Sequence, residues 1–309
     1  MKYITFGQDQ DQVSEVILGT MNLSQLSTQE AESLLKDALE EGINFWDTAD
    51  CYADGGSEER IGEVFAANPG LREKVFLQSK CGIRREDGVK FFDFSAEHIL
   101  NAVDASLERL KTESLDCLLL HRPDVLMEPE EIADAFRILH KTGKVRNFGV
   151  SNMNPAMIRR LQKYTKYKLE TNQIQISCAF SPVFDAALHV NMQTESGVMR
   201  DGGIMEYCAE NDMALQAWSP LRYGFFEGIF LGNPKYQTLN RVLERIAEEQ
   251  KVTPTAVALA WILRYPARMQ AVIGTTKSSR MKESALASQV TLDRRQWYEI
   301  YQAAGNELP

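Results

Sequence analysis

Several features are scarce in this chain, and each scarcity removes a class of protein. Cysteine occurs five times in 309 residues, at positions 51, 81, 117, 178 and 208, an odd number with no CxxC pair. That excludes a disulfide scaffold and gives no spacing for a zinc site, so no metal is expected. Positive charge is short: 34 Lys and Arg stand against 43 Asp and Glu, a net charge of −9. An acidic surface of that size keeps a protein in solution and argues against binding nucleic acid. No apolar run approaches the roughly 18 residues a membrane span requires. The opening residues, MKYITFGQDQDQ, lack the apolar core of a signal peptide, so a reducing cytoplasm is the expected compartment. No Gly/Ser-rich or Pro-rich linker divides the chain, which reads as one domain over residues 1–309.

What is present is a regular alternation. Eight short apolar runs read as buried strands: Val16–Gly19, Ile43–Phe45, Val75–Leu77, Leu115–Leu120, Val145–Val150, Thr171–Ile176, Met213–Ala217 and Ala271–Ile273. Amphipathic stretches lie between them, at Thr28–Glu41, Ser57–Ala66, Ser95–Lys111, Glu130–Lys141, Pro155–Tyr164, Gly203–Asn211 and Pro254–Arg264. Strands alternating with helices imply a parallel sheet, and eight such units imply an α/β fold closed as a (β/α)8 TIM barrel. An open doubly wound sheet would carry a GxGxxG fingerprint after the first strand. The chain has Gly19-Thr20-Met21-Asn22 there, without that spacing. Lys2–Phe6, a QDQDQ turn and a second run read as a hairpin ahead of the barrel. Trp297, Tyr298 and Tyr301 mark a helix packed on it near the C-terminus.

In such a barrel the chemistry lies at the C-terminal ends of the strands. Asp47, Lys80 and His121 follow strands two, three and four, and Tyr52 shares the loop of Asp47. Singly, each has a plain structural reading: a packed histidine, a salt bridge at the barrel mouth, a half-buried aromatic. Together on three consecutive loops they make a proton-donating constellation. A Lys ammonium lowers the tyrosine pKa towards neutrality, Asp holds the Lys charged, and His donates to a substrate oxygen.

These residues sit in motifs that identify a family. The chain resembles the aldo-keto reductases from Ile17 to about Leu286. It does so through Trp46-Asp47-Thr48-Ala49-Asp50-Cys51-Tyr52, Ser79-Lys80, Leu119-Leu120-His121, Gly149-Val150-Ser151-Asn152 and Asn172-Gln173. Trp218-Ser219-Pro220-Leu221 and Ile273–Arg280 complete the series. The resemblance implies a catalytic tetrad of Asp47, Tyr52, Lys80 and His121. It implies reduction of an aldehyde or ketone by direct hydride transfer from NADPH, so that NADP(H) is the cofactor.

It also implies the cofactor contacts. Ser151, Asn152 and Gln173 meet the nicotinamide carboxamide, Asp47 a ribose hydroxyl, and Trp218, where relatives more often have Tyr or Phe, the ring face. Gly19, Thr20 and Met21 are further cofactor contacts. Ser219, Pro220 and Leu221 line the pyrophosphate, and Gly274, Thr275, Thr276, Lys277, Arg280 and Glu283 enclose the adenosine. Many relatives carry Lys where this chain has Gly274, which implies a weaker NADPH preference. Ser278 and Ser279 read as caps of the final barrel helix.

The expected partner is a small carbonyl substrate, and the chain is expected to be a monomer or weak homo-oligomer. Alternatives are a regulatory or partner-binding module that keeps the cofactor site, and alcohol oxidation with NADP⁺. The long connection Ser181–Gly202 is expected to border the active-site mouth, because structureless loops of that length are usually functional. Glu58-Glu59-Arg60 reads as a solvated helix start, and His98, His140 and His189 as surface or loop residues.

Overall fold

The computed structural model describes all 309 residues. Strands β1 (Tyr3–Phe6) and β2 (Asp11–Ser14) form the antiparallel hairpin. Its turn requires Gly7, whose φ is 73° and whose missing Cβ would stand 2.6 Å from Asn147 Oδ1. Eight parallel strands follow and close on themselves. They are β3 (Val16–Gly19), β4 (Phe45–Asp47), β5 (Phe76–Cys81), β8 (Leu115–Leu120), β9 (Val145–Ser151), β10 (Leu169–Gln175), β11 (Ala214–Trp218) and β12 (Met269–Ile273). Closure is between β12 and β3, where Val272 faces Ile17. A second hairpin, β6 (Ile83–Glu86) with β7 (Val89–Phe92), interrupts the unit after β5.

The outer layer is α1 (Thr28–Glu40), α2 (Gly56–Ala67), α3 (Ala96–Leu110), α4 (Pro129–Lys141), α5 (Pro155–Gln162), α7 (Ile204–Glu210), α9 (Pro254–Leu263) and α10 (Ser278–Ala285). Local chemistry sets their ends. Ser27 and Glu30 form a reciprocal capping box on α1. On α4 the buried residues Ile132, Ala135, Phe136 and Leu139 keep helical spacing and face the barrel. Between α2 and α3 the backbones touch: a Cβ on Gly62 would lie 2.0 Å from the Arg109 carbonyl oxygen.

The barrel is therefore the (β/α)8 TIM barrel expected, with differences at the strand ends. β4, β5 and β9 run on to polar residues at the mouth, which a criterion of apolar runs cuts off, and β11 runs on to Trp218. Three helices stand outside the repeat: α6 (Pro182–Leu188), α8 (Gln237–Gln250) and the C-terminal α11 (Arg294–Ala303). Inside the barrel, Phe6 and Val13 of the hairpin plug the N-terminal end against Ile17, Phe45, Phe76, Cys117 and Leu119. Phe6, Phe45 and Phe76 meet edge to face or tilted, with centroids 4.7–5.6 Å apart. The C-terminal end is left to polar side chains.

Candidate active site

Asp47 ends β4 and Lys80 is the penultimate residue of β5, so the barrel register brings both to the same mouth. Tyr52 reaches them from a 3-10 turn at Tyr52–Gly55 in which Ala53 (φ 51°), Asp54 (52°) and Gly55 (93°) are all left-handed. Gly55 takes this conformation freely, but Ala53 and Asp54 in succession are costly, and local strain of this kind collects at functional sites. His121 directly follows β8.

The geometry is specific. Lys80 is fully buried, and its Nζ donates to Asp47 Oδ2 at 2.7 Å, Thr48 O at 2.8 Å and Tyr52 Oη at 3.1 Å. An ammonium has three N–H donors, so all are engaged. Tyr52 accepts from Lys80, which leaves its own proton free to point elsewhere. The His121 ring stands edge-on to Tyr52 with centroids 5.7 Å apart, and its Nδ1 is 3.6 Å from Cys51 Sγ.

Beneath lies a layer of amides. Asp47 Oδ1 accepts from Gln78 Nε2 at 2.6 Å and Gln173 Nε2 at 3.1 Å. Both amides also donate to Gln216 Oε1, and Gln216 donates to Gln270 Oε1. The Asp47 carboxylate is thus satisfied on both oxygens, as a buried charge must be.

Burial opposes the charge of Lys80, but Asp47 and Tyr52 outweigh it and hold the ammonium above its ordinary range. Burial pushes Tyr52 up, and Lys80 pulls it down by less. The net direction is upward, which corrects the expectation of a lowered tyrosine. Tyr52 therefore keeps its proton at neutral pH. Burial, then Lys80 and Arg122, drive His121 well below its ordinary value, so its ring is neutral.

Glu58 is a further correction. It is fully buried, accepting from Ser79 Oγ at 2.6 Å and pairing with Arg109 at 2.7 Å. It ties α2 and α3 to the strand that carries Lys80. Burial first, then Glu58, push the neighbouring Asp50 up to about 7.

The cleft above is about 580 Å³ and runs from the Tyr52–His121 corner to the start of α10. Gly19, Met21, Ser151, Asn152, Gln173, Trp218, Ser219, Pro220 and Leu221 line it. So do Gly274, Thr275, Thr276, Lys277, Arg280 and Glu283. Thr20 does not: it is buried, with Oγ1 donating to the Asp47 carbonyl at 3.0 Å. Asn152 and Ser219 have left-handed backbones (φ 58° and 50°), and Trp218 Nε1 donates to Asn152 Oδ1 at 3.0 Å. Neither Lys277 nor Arg280 forms an ion pair. Lys277 is the cap residue of α10, while Ser278 bonds Asp37 instead of capping and Ser279 lies inside the helix.

Ser181–Gly202 contributes nothing to the lining. Its helix α6 is fastened to α11, where Tyr301 Oη donates to Asp185 Oδ1 at 2.8 Å. The wall at that side is Phe226, Ile229 and Leu231, from the loop after β11. His189, expected as a surface or loop residue, directly follows α6 and is buried, with Nδ1 2.9 Å from the Asp185 carbonyl.

With this geometry in place, comparison with known proteins is decisive. The model of the Aldo/keto reductase family matches residues 15–304. The chain belongs to the aldo/keto reductase family. It is 35% identical to a 6-dehydroglucose reductase of Agrobacterium fabrum, covering 97% of each protein. It is 32% identical to the oxidoreductase YdhF of Escherichia coli over 99% of each. Among solved structures, an aldo-keto reductase from Klebsiella pneumoniae in complex with NADPH shares the fold. Its TM-score is 0.78 at 23% identity, with 97% of this chain and 94% of that one covered.

Two further features belong to this aldo/keto reductase's own sequence. Arg122, next to His121, projects into the cleft with its guanidinium 5.5 Å from the Trp218 ring and 5.4 Å from that of Phe225. It has no acidic partner, and no motif in the sequence singled it out. At the barrel's other end a cavity of about 670 Å³ lies among Asp11, Asn44, Arg72, Asp116 and Arg146. Two of its cations are paired, Arg72 and Arg146 both with Asp116 at 2.9 and 2.6 Å, while Lys74 and Lys111 form no ion pair.

Proposed function

We propose that the protein reduces an aldehyde or ketone to the alcohol with NADPH, Tyr52 donating the proton, and that the whole chain works as one barrel domain. The observation that carries this reading is the saturated Lys80 ammonium, which accounts for all its donors and leaves the Tyr52 proton free at the floor of the cleft. A bound NADPH supplies the hydride that goes to the carbonyl carbon. The chain's own residues do the rest. Neutral His121 donates a hydrogen bond to the carbonyl oxygen, and Tyr52 transfers its proton there as negative charge develops. Lys80, fixed by Asp47 and Thr48, stabilises the phenolate left behind. The residues suit the cofactor: two unpaired cations, Lys277 and Arg280, stand at the N-terminal end of α10, where a phosphate is favoured.

Arg122 narrows the substrate. An unpaired guanidinium beside the reacting corner favours a carbonyl compound bearing oxygen acceptors, either hydroxyls or a carboxylate. The sugar aldehyde named for the A. fabrum relative is of that kind. The test is NADPH oxidation against a panel of sugar aldehydes, keto acids and plain aldehydes. Tyr52→Phe should lower kcat by about 10²–10⁴-fold, the usual range for a general acid. It should still quench or shift NADPH fluorescence on binding. A Tyr52→Phe enzyme with near wild-type kcat would remove Tyr52 from the mechanism.

A further inference from the structure

Behind the Tyr52–His121 corner of the cleft stands a donor set that joins His121 to two groups the proposed reduction does not use. Asp50, Cys51 and His121 each offer one atom, and the three atoms lie within 4.8 Å of one another. Asp50 Oδ1 is buried with no hydrogen-bond partner, an anomaly for a carboxylate oxygen. His121 Nδ1 has only the thiol beside it, at 3.6 Å. Tetrahedral zinc, with Zn–S of about 2.3 Å and Zn–N of about 2.0–2.1 Å, sets sulfur and nitrogen about 3.5 Å apart. The observed pair already has that separation.

We propose that Asp50, Cys51 and His121 form a binding site for a thiophilic divalent cation, zinc above all, and that its occupancy halts reduction. Thiolate, imidazole and carboxylate together suit zinc over magnesium or calcium, and three protein ligands leave a fourth position for water. On binding, the cation replaces the Cys51 thiol proton and any proton held by Asp50, and these pass to solvent; no electron moves. The consequence for catalysis is electrostatic and steric. A doubly charged ion beside Tyr52 favours its phenolate over the phenol that must give up a proton. It also fixes the His121 ring, which has to meet the carbonyl oxygen. Cysteine spacing gives no hint of the site, because His121 reaches it from β8 while Asp50 and Cys51 follow β4. The site itself stands on geometry alone. Only its effect on turnover rests on the proposed reductase activity.

The experiment therefore reads metal first. Chelator-treated, desalted full-length protein is titrated with zinc in competition with a chromophoric indicator, and with cobalt while the absorption spectrum is recorded. The expected result is one zinc per chain and a sulfur-to-cobalt charge-transfer band. Both should disappear in Cys51→Ala, and Asp50→Asn should weaken binding. Altering even an outer-sphere partner costs about 10–100-fold, so Cys51→Ala should lose about 100-fold or more. Cys51→Ser serves if the alanine variant misfolds, and Cys81→Ala should bind as the wild type does. Equal zinc binding by wild type and Cys51→Ala, or a cobalt complex without the thiolate band, overturns the site. Stoichiometric zinc should slow NADPH-dependent turnover at least tenfold in the wild type and not in Cys51→Ala. Zinc held through Cys51 with turnover unchanged overturns the inhibitory role and leaves the proposed activity standing.

Discussion

At the scale of single residues, the cleft is defined by which polar groups have partners and which do not. Lys80 and Asp47 are fully partnered, so they hold position. Arg122 is not, and it faces the substrate side. A hydrogen bond to a charged group contributes about 1.5–3 kcal/mol, equivalent to about 10–100-fold. Arg122→Leu should lower kcat/KM by that factor for a hydroxylated or carboxylated aldehyde and by far less for a plain aromatic aldehyde. An equal loss for both would mean that Arg122 only braces Trp218. Asp50 gives a prediction about stability. Its folded pKa is raised to about 7 by burial and by Glu58. The native state therefore keeps a proton that the unfolded chain loses from about pH 4. Where the native state binds more protons, stability falls as pH rises, so this contribution declines between about 4 and 7 and is flat above. Asp50→Asn removes the dependence. The difference in Tm between the variant and wild type should widen in the variant's favour from pH 5 to pH 8. A constant difference would show that Asp50 does not titrate in that window.

At the scale of elements, the proposed cofactor site puts the choice between NADPH and NADH at the start of α10. Arg280 and Lys277 stand at its start without acidic partners, and the 2′-phosphate is the only group that separates NADPH from NADH. Arg280→Ala should weaken NADPH binding by about 1.5–3 kcal/mol and leave NADH binding nearly unchanged. Open space surrounds Gly274, since no atom lies within 4 Å of a Cβ built there. Gly274→Lys should accordingly strengthen NADPH binding, measured by fluorescence titration with each cofactor. Equal effects on both cofactors would assign these positions to the adenine end in general. The elements also explain what was legible in the sequence. Apolar runs located all eight strands, because each is buried on both faces. They stopped short at Phe45 and Leu77 because the interior of the barrel's upper half is lined by Asp47, Gln78 and Lys80, so a strand continues where its apolar signal ends. Asp47, Lys80 and His121 were legible through their place at the mouth ends of strands, within β4 and β5 or just after β8. Glu58 was not, because a carboxylate that opens a helix reads as solvated until its partners Ser79 and Arg109 are known from the fold. Helix α8 was overlooked although Leu239, Leu243, Ile246 and Ala247 keep helical spacing. Ser181–Gly202 was assigned to the mouth on length alone, and length does not say which neighbour a segment packs against.

At the scale of the whole molecule, the two ends of the barrel do separate work. The hairpin's Phe6 and Val13 seal one end with apolar contacts, while the other keeps amides, charges and an open cleft. No helix is long and apolar enough to cross a membrane. The seam between β12 and β3 has a consequence for how the chain is made. β3 precedes the other barrel strands and β12 comes after them, so during synthesis the first strand, though paired with β4, waits for its second neighbour until almost the entire barrel has left the ribosome. Until then both sheet edges are unpaired, and open edges invite pairing with other chains. The burden on chaperones should therefore fall on chains that have made β11 but not β12. A chain ending at Pro266 should precipitate or remain chaperone-bound in pull-down experiments, while one ending after α10 should remain in solution. Equal solubility of the two would mean that the open barrel protects its own edges.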